Sequence, residues 1–294
     1  MLNIPGTSDT QTCNYTHVDL GRIAGANCGA ALNQTFSLDA FGNLKTTGTP
    51  TGLVFDPNSF SNNRISGAGY DNNGNLLDDP VTPATSVNAF DAEGRPVKLE
   101  NIAVTFDALG RAVEAAKSGG TVEFLYGPSG GKLEVMSGQS LVGADIPLPG
   151  GGAAVYSATG LAFYRHADQL GSSRLASTPA RTLYSATAYA AFGAAYNESG
   201  THDRSFTGQT QDAGGTFSGG QYDFLVREYN SIQGRWWSPD PAGLAVVDPN
   251  SPESWNRYAY VGGMPLEIAD PTDNDGEWPT DIHKLWSRMR PFGF

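Results

Sequence analysis

The residues whose types could do chemistry are few and mostly scattered. Cys13 and Cys28 are the only cysteines, and His17, His166, His202 and His283 lie far apart. Zinc would need more ligands at short spacing. Two readings of the cysteines stand: two buried thiols, or a disulfide across a 15-residue interval, which would be worth ~3 kcal/mol. Gly127-Pro128-Ser129-Gly130-Gly131 fits a nucleophile-elbow pattern but sits within a run of turns, not between strand and helix. Gly131-Lys132 lacks the Ser or Thr of a phosphate loop, because Leu133 follows. Asp273, Asp275 and Gly276 suggest a calcium loop, but Pro271 and Ile282 occupy its end positions. No cofactor is implied by any of these. Asp240-Pro241 and Asp270-Pro271 are first of all turn chemistry.

The elements that would position such residues are extended and turn-rich. Of 294 residues 37 are Gly and 18 are Pro, while 31 are aromatic (5 Trp, 12 Tyr, 14 Phe). That composition excludes a coiled coil, collagen and full disorder, and leaves an all-β fold. With 18 basic and 30 acidic residues the net charge is −12. Nucleic acid and anionic lipid need clustered Lys and Arg, which are missing, so neither is expected as a partner. No run approaches 18 apolar residues, so no membrane span is expected. The segment Met1–Thr10 lacks the pattern of a signal peptide.

A degenerate unit recurs: aromatic or Leu, Asp, two residues, Gly, then Asn or Arg. It appears as Leu38-Asp39-Ala40-Phe41-Gly42-Asn43-Leu44 and Tyr70-Asp71-Asn72-Asn73-Gly74-Asn75-Leu76. Phe90-Asp91-Ala92-Glu93-Gly94-Arg95 and Phe106-Asp107-Ala108-Leu109-Gly110-Arg111 follow. Worn copies lie at residues 126–133 and 17–23. Asp opens each turn by accepting backbone N–H bonds, and Gly supplies the positive φ where the chain reverses. The residue before Asp and the apolar residue after Gly then face each other on two strands. Such units cannot bury their own apolar faces and must stack as a strip of antiparallel hairpins. From about residue 160 the texture changes. Landmarks are His166-Ala167-Asp168-Gln169-Leu170-Gly171-Ser172-Ser173-Arg174, Phe206-Thr207-Gly208-Gln209, and Gln233-Gly234-Arg235-Trp236-Trp237-Ser238-Pro239-Asp240-Pro241-Ala242-Gly243-Leu244, then Asn256-Arg257-Tyr258-Ala259-Tyr260.

These units resemble the YD repeats of bacterial Rhs proteins, and residues 163–271 resemble the Rhs-repeat-associated core domain. The resemblance covers nearly the whole chain from about residue 15. It implies degenerate repeats over 1–158, a core domain over 159–272 and a short variable tail over 273–294. It also implies an all-β spiral strip of a toxin shell, with the C-terminal core region plugging one end. By motif position, Arg227, Asp240 and Asp270 would be the autoproteolytic residues of the family's core domain. Two carboxylates sharing one proton would activate water and polarise a carbonyl. The second motif departs from the family, with Asp273 for Gly and Asn274 for Leu, which favours a chain that stays whole. The expected role is a structural shell or plug fragment encasing or displaying a C-terminal cargo, with the toxin itself absent. The alternatives are a single-turnover aspartic autoprotease and a surface adhesion or carbohydrate-binding module. The partners this implies are the chain's own C-terminal segment or further upstream repeats, with edge-to-edge self-association as another route. The resemblance places the protein outside the cell or on its surface, as part of a longer exported chain. Beyond Asp270, Asp281 would cap a short helix with Ile282, Leu285, Trp286 and Met289 on one face.

Overall fold

A computed structural model describes residues 2–3, 10–79, 88–99, 102–117, 119–128, 131–210, 220–224, 227–268 and 270. The expected terminal helix and the Asp273 motif lie outside these residues. Among the described residues the architecture is all-β, with antiparallel pairing throughout and only short 3-10 turns besides.

The repeat turn recurs with one geometry. In the Asp107 unit, Oδ1 accepts the N–H of Leu109 and of Arg111, both at 2.9 Å. The Asp107 N–H donates to the Arg111 carbonyl at 2.9 Å, and Gly110 has φ +81°. Asp39, Asp71, Asp91 and Asp168 accept the same pair of N–H bonds. The flanking residues pair across the turn as the sequence leads one to expect: Leu38 with Leu44, Tyr70 with Leu76, Phe106 with Ala112.

The unit also contains a stitch. Arg95 and Arg111 each hold their own Asp through Nε, at 2.7 and 2.8 Å. Each guanidinium then lies over the leading aromatic of the next unit: Arg95 is 5.2 Å from the Phe106 ring centre, and Arg111 4.9 Å from that of Tyr126. Arg174, bonded to Asp168, repeats this 5.4 Å from the Tyr189 ring. An arginine directly after Gly, as at Arg95 and Arg111, or three residues after it, as at Arg174, therefore joins consecutive hairpins by a cation–π contact.

From the Phe90 unit onward the hairpins build a twelve-stranded antiparallel meander running from Ala89–Phe90 to Ala195–Gly200 in strict chain order, while the Tyr70 unit pairs its own two short strands, Gly69–Tyr70 and Leu76–Asp78. It is open, with those two strands as its edges. Ser140–Pro147 pairs with Ala153–Ser157, which pairs in turn with Gly160–Ala167. Residues 148–152 are thus a turn within one sheet, and the sheet passes without a break through residues 158–159. A separate four-stranded sheet comprises Asn14–His17, Ile23–Asn27, Asn33–Leu38 and Leu44–Thr49.

The core joins these parts. Ile23, Leu32, Phe36 and Leu44 of the small sheet pack with Phe192, Phe206, Tyr222, Phe224, Tyr229, Trp236 and Tyr260. Tyr229 is central. It is fully buried, its ring lies 4.4 Å from Tyr260 and 5.4 Å from Trp236, and its hydroxyl donates to the Phe192 carbonyl at 2.8 Å. Phe192 belongs to a turn at the end of the meander and its ring lies 5.5 Å from Phe36 of the small sheet, so Tyr229 and Phe192 together tie core segment, strip and small sheet. The next turn residue, Gly193, has φ +96°, and any Cβ there would stand 2.6 Å from the Phe206 ring.

The turn carboxylates give a pH-dependent prediction. Burial pushes the Asp91 carboxyl up, but the Arg95 side chain and the N–H groups of Arg95 and Glu93 outweigh it and hold the carboxyl below its usual range. A depressed group stabilises the fold above its unfolded pKa, and loses that contribution as pH falls through the folded one. Asp91→Ala is expected to cost about 1–2 kcal/mol at neutral pH. Asp91→Asn should cost less, because its Oδ1 still accepts both N–H groups. Urea midpoints should show the Asp91→Asn gap closing below the ordinary aspartate pKa and the Asp91→Ala gap narrowing there to what the two N–H bonds alone contribute; an Asp91→Asn gap that persists would contradict the assignment.

Candidate functional site

Arg227, Asp240 and Asp270 come from three separate stretches, and the fold brings them together. Arg227 precedes the strand Glu228–Asn230, the centre of a three-stranded sheet with Gln221–Asp223 and Arg235–Trp236. That placement puts its guanidinium 3.9 Å from the Trp236 ring centre, with the side chain only 3% exposed. Asp240 follows Ser238-Pro239 on a loop fixed from both sides. Its N–H donates to the Arg257 carbonyl at 2.9 Å, and Arg257 Nη2 donates back to the Asp240 carbonyl at 2.6 Å. Its side chain accepts the Ala242 N–H at 2.8 Å, the local turn that Asp-Pro favours.

The two carboxylates meet different nitrogens of one guanidinium. Arg227 Nη1 is 4.0 Å from Asp240 Oδ2, and Nη2 is 3.5 Å from Asp270 Oδ2. All three side chains are nearly buried. Burial pushes the Asp240 carboxyl up. Arg227 and the Ala242 N–H pull it down, the Asp270 charge pushes it up again, and Arg257 opposes; the net direction is upward. A carboxyl raised by burial beside a second carboxyl is the arrangement in which one group holds a proton while the other stays charged. Arg227 orients both and partly neutralises them.

Cys13 and Cys28 form a disulfide between the small sheet's first strand region and the turn after Asn27, 15 residues apart. Cys28 is buried in the aromatic core. Among the described residues no cluster of His, Cys, Asp and Glu is placed to hold a metal, and no helix is long and apolar enough to cross a membrane.

Sequence reasoning missed two sets of long-range contacts, the first of them anchoring the segment around Arg257, which holds Asp240. One is the set of bonds from the core segment to the repeat turns. Asn256 donates to Asn43 Oδ1 at 3.1 Å, the Tyr258 hydroxyl to the Gly74 carbonyl at 2.7 Å, and Arg235 to the Asn63 carbonyl at 2.6 Å. The Asn after Gly in the first units carried that signal, since Asn43 differs from the Arg that follows Gly94 and Gly110. The other is Arg165, held bidentately by Asp203 at 2.9 and 2.7 Å and by Asp145 at 2.6 Å, across residues far apart in sequence.

No family model matches the chain, and no curated protein matches it. Solved structures do. The chain superposes on TcdB2–TccC3 solved without its hypervariable C-terminal region with a TM-score of 0.60 at 17% identity, over 88% of this chain. The fold is that of a stretch of TcdB2–TccC3. A Tc holotoxin pore of Photorhabdus luminescens, carrying an aspartate-to-alanine substitution in TccC3, matches with a TM-score of 0.52 at 16% identity over 90% of this chain. A further TcdB2–TccC3 structure gives 0.51 at 16%. The chain spans only 15–17% of the length of these chains. At such identities the likeness is one of fold.

Proposed function

We propose that this protein is a structural shell or plug element of an Rhs-type toxin assembly, which encases or displays a C-terminal segment. The observation that supports this best is the open twelve-stranded strip, seated through Tyr189–Phe206 and Tyr229 on one buried aromatic core. A strip whose two edge strands are unpaired among the described residues suits extension by further hairpins, either upstream repeats or a second copy. In this reading residues 1–158 are the repeats, 159–272 the core domain and 273–294 the tail, and the chain works outside the cell as part of a longer exported protein. The intact mass of the purified chain tests the reading: a single species of 31.0 kDa is expected.

A second reading is supported by the Arg227, Asp240 and Asp270 cluster: a single-turnover aspartic autoprotease cutting after the second Asp-Pro motif. A stable fragment ending near Asn274, abolished by Asp240→Asn, would establish it and overturn the first. The second motif carries Asp273 where the family has Gly and Asn274 where it has Leu, a departure that favours the uncut chain.

A further inference from the structure

Beside the Arg227 site lies a second, differently charged feature. A cleft of about 240 Å³ is lined by Asn62, Arg64, Asn73, Trp255, Arg257 and Tyr258, with Pro239 at its edge. Arg64 Nε donates to the Tyr258 hydroxyl at 3.2 Å, and its guanidinium lies 5.3 Å from the Tyr70 ring. Arg257 is fixed by the Asp240 carbonyl. Among the described residues neither arginine makes an ion pair with a carboxylate. Two guanidinium groups that line one cleft, in a chain of net charge −12, suit carboxylates. Trp255 is 46% exposed and offers an aromatic face beside them.

We propose that this cleft binds the chain's own acidic stretch, residues 273–281, through carboxylates on Arg64 and Arg257. That stretch carries Asp273, Asp275, Glu277 and Asp281 within nine residues, together with Trp278 and Pro279. It begins three residues after Asp270, which Arg227 holds, and Arg227 also faces Asp240, whose carbonyl binds Arg257. Five extended residues span roughly 17 Å, and the contacts that run from Asp270 through Arg227 and Asp240 to Arg257 place the start of the stretch next to the cleft's neighbours. The inference is independent of autoproteolysis, since the segment binds whether or not the chain is cut.

The test uses the full, uncut chain as the Arg64→Lys variant, treated with a carbodiimide that joins amines to carboxylates in contact. Mass spectrometry should recover a link between position 64 and residues 273–281. The link should disappear in about 1 M salt, where charges are screened beyond about 3 Å. It should also disappear when Asp275→Asn and Glu277→Gln are added. As a second readout, Arg64→Glu should speed cutting at Glu277 by a glutamyl endopeptidase about fivefold, the weight of one half-buried ion pair. Competition by inorganic phosphate with the link would agree with anion chemistry. Links only to carboxylates outside 273–281, unchanged cutting at Glu277, or phosphate binding with no link from the segment would each overturn the proposal.

Discussion

Replacing Arg227 with methionine is expected to lower the unfolding free energy at neutral pH by about 3–5 kcal/mol, because it strands two buried carboxylates without their cation. The loss should be smaller in mild acid. Asp240 has a raised pKa in the fold, so between its unfolded and folded pKa values the native state binds more protons than the unfolded state. Stability carried by this group therefore falls as pH rises through that window, and protonation relieves the variant first. The same logic gives Asp240→Asn the opposite sign. Its amide oxygen still accepts the Ala242 N–H, one buried charge is gone, and Asp270 still faces Arg227. Urea denaturation of the three proteins at two pH values separates these outcomes. A loss below about 1 kcal/mol for Arg227→Met, equal at both pH values, would mean the cluster is not a coupled buried unit.

Truncating Tyr229 should have a comparable effect for a different reason. Tyr229→Ala removes a fully buried ring from the centre of the aromatic cluster and is expected to cost about 3–5 kcal/mol. Tyr229→Phe keeps the ring but leaves the Phe192 carbonyl without its donor, at a cost of about 1–3 kcal/mol. Thermal or urea unfolding measures both. If Tyr229→Ala cost no more than Tyr229→Phe, the hydroxyl bond and not ring packing would dominate, and the cluster would be less tightly packed than its ring distances indicate.

The repeat turns, in the strip and outside it, were readable from the sequence alone. Asp39, Asp71, Asp91 and Asp107 each declare their turn, because one carboxylate in a fixed place meets the same two N–H groups. Turns that use other chemistry were not readable in that way. The Ala190 turn closes with the same backbone bond from Ala190 to the Ala194 carbonyl, yet carries no Asp. Its shape is set by Gly193 and by Tyr229 and Tyr222 bonding to its carbonyls from elsewhere in the chain. The role of arginine after Gly was also hidden, because its second partner lies in the next unit. For the site, motif position brought Arg227, Asp240 and Asp270 together, but interval lengths alone said nothing about their distance. The docking of Asn256 and Tyr258 on the Asn43 and Gly74 turns depends on contacts over more than 180 residues, which local pattern does not encode.

The central claim is that strip, small sheet and C-terminal core segment form one scaffold. Native-state hydrogen exchange on the full chain tests it most directly. The buried amides of Thr46, Ala188, Tyr229 and Trp236 should share one opening free energy, and all four should fall together in Tyr229→Phe. Exchange in which the Ala188 amide keeps its protection while Tyr229 and Trp236 lose theirs would contradict the account, because the strip would then stand without its core.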